Sequence, residues 1–206
     1  LDQSQLPGAV EFLDCRDYKT VADAIRTLKV RGAPAIGVTA AMGVALGAQA
    51  IRATDYPTFA QAVLTICDDL AATRPTAVNL FWALGRMRQR ARSAAAEGQE
   101  LHATLVQEAT AIWDEDRAMC DRIGEAGLPL IPEDGTVLTH CNAGALATGG
   151  IGTALAPIYR AHRAGRSGSE GALVAIDPDV RIGITGSVVR DLRPRFDPRE
   201  VLAESA

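Results

Sequence analysis

The run Thr136-Val137-Leu138-Thr139-His140-Cys141-Asn142-Ala143-Gly144-Ala145-Leu146-Ala147-Thr148-Gly149-Gly150 decides the fold class. Its β-branched, apolar opening ends abruptly in a Cys-Asn pair, and a loop of very small residues follows. Ile151 to Arg163 then reads as a helix. Strand, loop and helix in that order form the unit of open α/β sheets, which bind ligands beyond the carboxyl ends of their strands. A second run, Arg31-Gly32-Ala33-Pro34-Ala35-Ile36-Gly37, has the same character: a cation, then backbone almost bare of side chains, then a helix. Two such runs point to a small-molecule site built on main-chain N–H groups.

Upstream of the first run the pattern is mainly helical. Val10-Glu11-Phe12-Leu13-Asp14-Cys15 alternates apolar and polar residues, as a half-buried strand does. Thr20 then reads as a helix cap, with Asp23 three residues on and Val21, Ile25 and Leu28 on one apolar face. The next helix begins near Ala35, after Pro34, which has no N–H to waste in a first turn. Its Gly43 and Gly47 weaken the helix intrinsically and so point to close backbone packing. A third helix starts at Thr58, with Phe59, Val63, Ile66 and Leu70 on one face. Pro75 pushes Arg74 into extended conformation. Further helices are expected over 79–96 and 100–123, the first carrying Arg86, Arg88, Arg90 and Arg92 as a solvated surface.

Leu128 to Gly135 holds two prolines and an Asp-Gly turn, and the domain boundary is expected there. The expected division is a mainly helical domain over 1–130 and a partial parallel α/β domain over 135–206. Beyond Arg166, Leu173–Ile176 and Val180–Ile184 read as short strands and 193–198 as a tail. One strand–helix unit and two short strands do not complete a doubly wound sheet.

Composition narrows the function classes. With 206 residues and 48% hydrophobic content the chain is globular rather than disordered. A net charge of −4 argues against a nucleic-acid partner, and only 4% aromatic residues argues against base-stacking platforms. Residues 32–51 carry no charge and are long enough to span a bilayer, but they are mostly Ala, Gly, Thr and Gln. A tightly packed buried helix is the better reading, and no membrane association is expected. Cys15, Cys67, Cys120 and Cys141 show no CxxC spacing, and His140 beside Cys141 forms no zinc motif. Reduced thiols in a cytoplasmic chain are expected.

Cys141 admits two readings. At the end of a strand, before a Gly/Ala loop and a helix N-terminus, a thiol is partly exposed and its thiolate is favoured. A free cysteine is also commonly a small buried hydrophobe. His140 is not paired with it, because neighbours on a strand point to opposite faces. Arg31 and Arg74 each precede a small or proline-containing turn. They are either surface charges or phosphate clamps, a task for which a guanidinium offers bidentate donors. Cys15, Cys67 and Cys120 read as structural, and Trp82 and Trp113 as core or interface residues.

Four segments then combine: Arg31-Gly-Ala-Pro-Ala-Ile-Gly37, Thr73-Arg-Pro-Thr-Ala-Val-Asn-Leu80, Glu115-Asp-Arg-Ala-Met-Cys120 and Thr139-His-Cys-Asn-Ala-Gly-Ala-Leu-Ala-Thr148. In this order, over about residues 1–166, they resemble the methylthioribose-1-phosphate isomerases of methionine salvage. That family is related to the regulatory subunits of the translation initiation factor 2B exchange factor and to ribose-1,5-bisphosphate isomerases. The resemblance implies a helical N-terminal domain followed by a Rossmann-like domain, a homodimer, and no metal or organic cofactor. It implies aldose–ketose isomerisation of 5-methylthioribose 1-phosphate to 5-methylthioribulose 1-phosphate. Arg31, Gly32, Ala33 and Arg74 match the family's substrate-binding residues, and Cys141 matches its active-site cysteine.

The family pattern also includes an Asp proton donor in a Gly-Ala-Asp-Arg-type segment, an Asn-Lys pair and a substrate-contacting Gln. None is found after residue 166, where Asp177 and Asp179 stand in a different context. The chain therefore reads as a shortened copy with an incomplete second domain. A non-catalytic sugar-phosphate-binding or regulatory module, like the initiation-factor relatives, is the alternative to an active isomerase.

Overall fold

A computed structural model describes residues 1–53, 55–96, 100–133, 137–165, 173–177 and 180–184. The chain divides into two compact units between Asp114 and Glu115. The first is built around α2 (Ala33–Gln49), whose buried residues include Ile36, Ala40, Ala41, Val44, Ala45 and Ala48. Buried positions so closely spaced leave no polar stripe, and a helix apolar all round must be enclosed. Three partners enclose it: α1 (Tyr18–Arg26), α3 (Tyr56–Ala71) and α4 (Val78–Ala96).

Small residues let these helices approach. A Cβ on Gly43 would lie 2.9 Å from Val21 Cγ1 of α1, and one on Gly47 would lie 2.9 Å from Ile66 Cδ1 of α3. The glycines therefore serve close packing, as expected. The shared core contains Ile25, Phe59, Val63, Leu70, Leu84, Met87, Leu105 and Ile112. Truncating any of its fully buried Leu or Ile side chains to Ala removes about 2–5 kcal/mol of stability.

Several expectations need correction. Val10–Cys15 is not a strand: Val10 and Phe12 are exposed, and the segment is held by Asp2 N–H donating to Glu11 O at 2.8 Å. Alternation fits a strand only where a neighbouring strand exists to pair with. The cap of α1 is Asp17, not Thr20: its Oδ1 accepts from Thr20 N–H at 2.8 Å. Leu28 is not on the apolar face. It lies past the helix end at φ 62, where Lys29 N–H reaches Ala24 O and Leu28 N–H reaches Ile25 O. This is a Schellman ending with leucine in the place usually given to glycine, at a cost of about 1–2 kcal/mol. Asp55 caps α3 through Thr58 N–H at 2.9 Å, so that helix starts at Tyr56. Its predicted face of Phe59, Val63, Ile66 and Leu70 is buried.

On α4, Arg86 and Arg88 are largely covered rather than fully solvated. Arg86 Nε donates to Glu108 at 2.8 Å and Arg88 to Asp68 at 2.6 Å. Trp113 is buried, whereas Trp82 is half-exposed with the Arg86 guanidinium 5.2 Å from its ring centroid. Such a stacked cation contributes about 0.5–1 kcal/mol at an exposed site.

The second unit contains the end of α5 (Leu101–Gly127), a 3-10 turn at Leu128–Leu130, and β1 (Leu138–His140). After the loop come α6 (Ala156–Arg163), β2 (Leu173–Asp177) and β3 (Val180–Ile184). The sheet order is β1-β2-β3, with Leu138 opposite Val174 in a parallel pair and Leu173 opposite Ile184 in an antiparallel one. Both strands predicted beyond Arg166 are present, while the tail over 193–198 lies outside the described residues. The helix expected from Ile151 begins only at Ala156. Gly152, at φ 103, instead forms an isolated antiparallel bridge with Gly144 across the loop. α6 docks on α5 through small residues, since a Cβ on Gly127 would collide with the Pro157 ring. Arg160 donates to Asp121 at 2.7 Å and lies 3.6 Å from Glu125.

Among the described residues no helix is long and apolar enough to cross a membrane.

Candidate functional site

The predicted residues fall into two groups. Arg31, Gly32 and Ala33 open α2. Gly32 is its N-cap at φ 91 and ψ 136, a conformation only glycine adopts without strain. Its carbonyl accepts from Ile36 N–H at 2.9 Å. Pro34 occupies the first turn, as predicted, and that turn contains no acidic side chain. The unbonded N–H groups and positive end of α2 are therefore open to an anion. Arg31 is exposed, and its Nε donates to Leu28 O at 3.1 Å. The left-handed turn at Leu28 thus supplies the carbonyl that steadies this guanidinium.

Arg74 lies in the turn between α3 and α4. Buried Thr73 anchors the turn by donating from Oγ1 to Leu70 O at 2.6 Å, and Ala77 N–H closes it on Arg74 O at 3.1 Å. The first turns of α2 and α4 touch, because a Cβ on Gly37 would lie 2.8 Å from Asn79 O. Arg31 and Arg74 therefore precede two helices that meet at their starts. A guanidinium placed just before a positive helix end, as each of these two is, suits a phosphate.

Cys141 belongs to the other unit and follows the last residue of β1. It is exposed and adopts φ 65, so it is not the buried hydrophobe of the alternative reading. A cysteine held in the left-handed region at a strand end is a strained residue of the kind found at functional sites. No α-helix N-terminus directly follows Cys141 to favour its thiolate, since α6 begins only at Ala156. The other thiols behave as expected of structural residues. Burial pushes Cys67 up to about 12, and desolvation also raises Cys15 and Cys120.

The loop after Cys141 is closed on itself. Ala143 O accepts from Thr153 N–H at 2.9 Å, and Ala147 N–H donates to Gly144 O at 3.1 Å. Its middle is held from α5, where Asp116 Oδ2 accepts from Gly149 N–H at 2.6 Å. Desolvation raises the pKa of this buried carboxyl, with the Gly149 hydrogen bond opposing the rise. Asp116 escaped the sequence reading as a functional residue, although it stands in the Glu115–Cys120 segment. Among the described residues no cluster of His, Cys, Asp and Glu is arranged to hold a metal.

Residues 29–201 match the Initiation factor 2 subunit family. The methylthioribose-1-phosphate isomerase of Geobacter metallireducens is 53% identical over 168 residues, covering 81% of this chain and 49% of that protein. That of Desulforamulus reducens is 50% identical over 167 residues, covering 81% and 48%. The crystal structure of 5-methylthioribose 1-phosphate isomerase from Pyrococcus horikoshii is 37% identical, with a TM-score of 0.71 over 80% of this chain and 46% of that one. The translation initiation factor eIF-2B delta subunit from A. fulgidus is 39% identical, also with a TM-score of 0.71, over 84% and 50%. The chain thus spans about half the length of the curated relatives it matches. By this match and these likenesses, the chain belongs to the initiation factor 2 subunit (IF-2B) family.

Proposed function

We propose that this chain carries the substrate-binding and thiol portions of an aldose–ketose isomerase acting on 5-methylthioribose 1-phosphate in methionine salvage. The observation that carries this reading is Cys141, an exposed thiol in a left-handed turn at the carboxyl end of a parallel strand. The methylthioribose-1-phosphate isomerases that are about half identical to it supply the substrate class.

The chemistry suits such a site. The anomeric carbon of the sugar bears the phosphate, so the ring does not open by simple loss of a hemiacetal proton. A site must open the ring and move hydrogen from C2 to C1, through an enediol or a hydride path. Arg31, the N–H groups of Gly32 and Ala33, and Arg74 hold the phosphate. Cys141 takes part in the acid–base step. On this reading the helical domain ends within α5 rather than at residue 130, and the strands β1 to β3 belong to the partial Rossmann-like domain. The active form is a cytoplasmic homodimer, with no nucleic-acid partner.

The second reading is a non-catalytic sugar-phosphate-binding or regulatory module. It is favoured by the likeness to the eIF-2B delta subunit. The two separate by measuring turnover of 5-methylthioribose 1-phosphate by the purified chain beside Cys141→Ala, with binding measured for Arg31→Ala and Arg74→Ala. The isomerase reading expects turnover that falls at least a hundredfold in Cys141→Ala. Tight binding without turnover, weakened tenfold or more by either arginine variant, establishes the module instead. Neither turnover nor binding overturns both.

A further inference from the structure

We propose that Asp116 is a positioning residue: by accepting the Gly149 N–H it fixes the loop that follows Cys141 and so holds the thiol in its left-handed turn. Its relevance to catalysis rests on the isomerase reading; its effect on the loop does not.

The geometry connects the two residues in short steps. Asp116 lies on α5, is buried, and reaches Gly149 across 33 positions of sequence at 2.6 Å. Next to that contact, Thr148 Oγ1 and Gly150 bond each other in both directions, Gly150 N–H to Oγ1 at 3.3 Å and Oγ1 to Gly150 O at 3.2 Å. A Cβ on Gly150 would lie 3.0 Å from Cys120 Cβ and 3.1 Å from Arg117 Cα, so the loop rests flush on α5. From there the loop turns back, and Gly152 pairs with Gly144. Ala143, two residues from Cys141, accepts from both Thr153 N–H at 2.9 Å and Leu155 N–H at 3.4 Å. The small residues make the loop's conformation weakly specified by itself. A buried carboxyl aimed at its middle supplies the missing constraint by accepting the Gly149 N–H. Carboxylates are rarely buried without a partner, and the Gly149 N–H is such a partner for Asp116.

The test compares wild type, Asp116→Ala and Asp116→Asn by amide hydrogen exchange and by the NMR chemical shifts of Cys141, without substrate. Asp116→Ala is expected to raise exchange at Ala147, Gly149, Thr153 and Leu155 at least tenfold, and to move the Cys141 Cβ shift. The amides of α5 are expected to stay within twofold. Asp116→Asn, whose side-chain oxygen accepts the same N–H, is expected to restore both readouts. Unchanged loop exchange, an unmoved Cys141 shift, or an Asn variant as altered as the Ala variant overturns the proposal. Should Asp116→Ala not fold, the through-hydrogen-bond coupling between the Gly149 amide and the Asp116 carboxyl carbon in the wild-type chain decides, and its absence overturns the proposal. A chain that never turns over substrate still answers these measurements, so failure here is distinct from failure of the isomerase reading.

Discussion

The runs at 31–37 and at 136–150 look alike in sequence, yet the fold uses their small residues for opposite purposes. In the first, Gly32 caps a helix that begins at once, and Gly37 lets that helix lie against α4. In the second, glycines bring two stretches of loop backbone together, and the helix is delayed until Ala156. Small side chains specify proximity, and what comes close is decided by partners distant in sequence.

Substituting glycines breaks or sharpens this contrast. Gly152→Ala is expected to have the largest effect. It adds a Cβ 2.5 Å from Ala143 O at a residue with φ 103. Strain and overpacking together cost roughly 3 kcal/mol, read as a lower urea midpoint. Gly37→Ala should cost about 1–2 kcal/mol, because the clash with Asn79 O outweighs the gain in helix propensity. Gly85→Ala on α4 meets nothing within 4 Å and should stabilise by about 0.5–1 kcal/mol. Equal effects of these two α-helical substitutions would refute the close-approach reading of α2.

The smallest expected effect concerns pH and has opposite signs in the two regions. Asp17 and Asp55 are held below the ordinary carboxylate range by the backbone N–H groups they cap. A lowered folded pKa contributes stability above the unfolded value that is lost as pH falls through the folded one. Asp116 is raised by burial, so its contribution is present below the unfolded value and lost as pH rises through the folded one. Denaturation of the Asp17→Asn/Asp55→Asn and Asp116→Asn chains between pH 3 and pH 7, conditions set by the carboxylate range, checks this. The first is expected to lose ground to wild type as pH rises, and the second to gain it.

Much of the helical unit was legible because its signals are local. Phe59, Val63, Ile66 and Leu70 repeat at helical spacing, and Pro34 marks a first turn. Asp17 and Thr20 are both good caps, and only the bond between them shows which one serves. Arg31 and Arg74 could be recognised as phosphate-binding residue types, but the Gly37–Asn79 approach that brings their helices together has no local pattern. The same holds for Asp116 and Gly149. The helix expected from Ile151 failed for a related reason: its propensity is overridden by a glycine pairing across the loop.

The exposure of Cys141 has a practical corollary for spectroscopy. Cys67 and Cys120 are buried, and Cys15 is partly covered with its thiol shifted upward. A maleimide dye or spin label added briefly at neutral pH therefore attaches first at Cys141, so the unaltered chain offers a reporter at the end of β1 without any engineered cysteine.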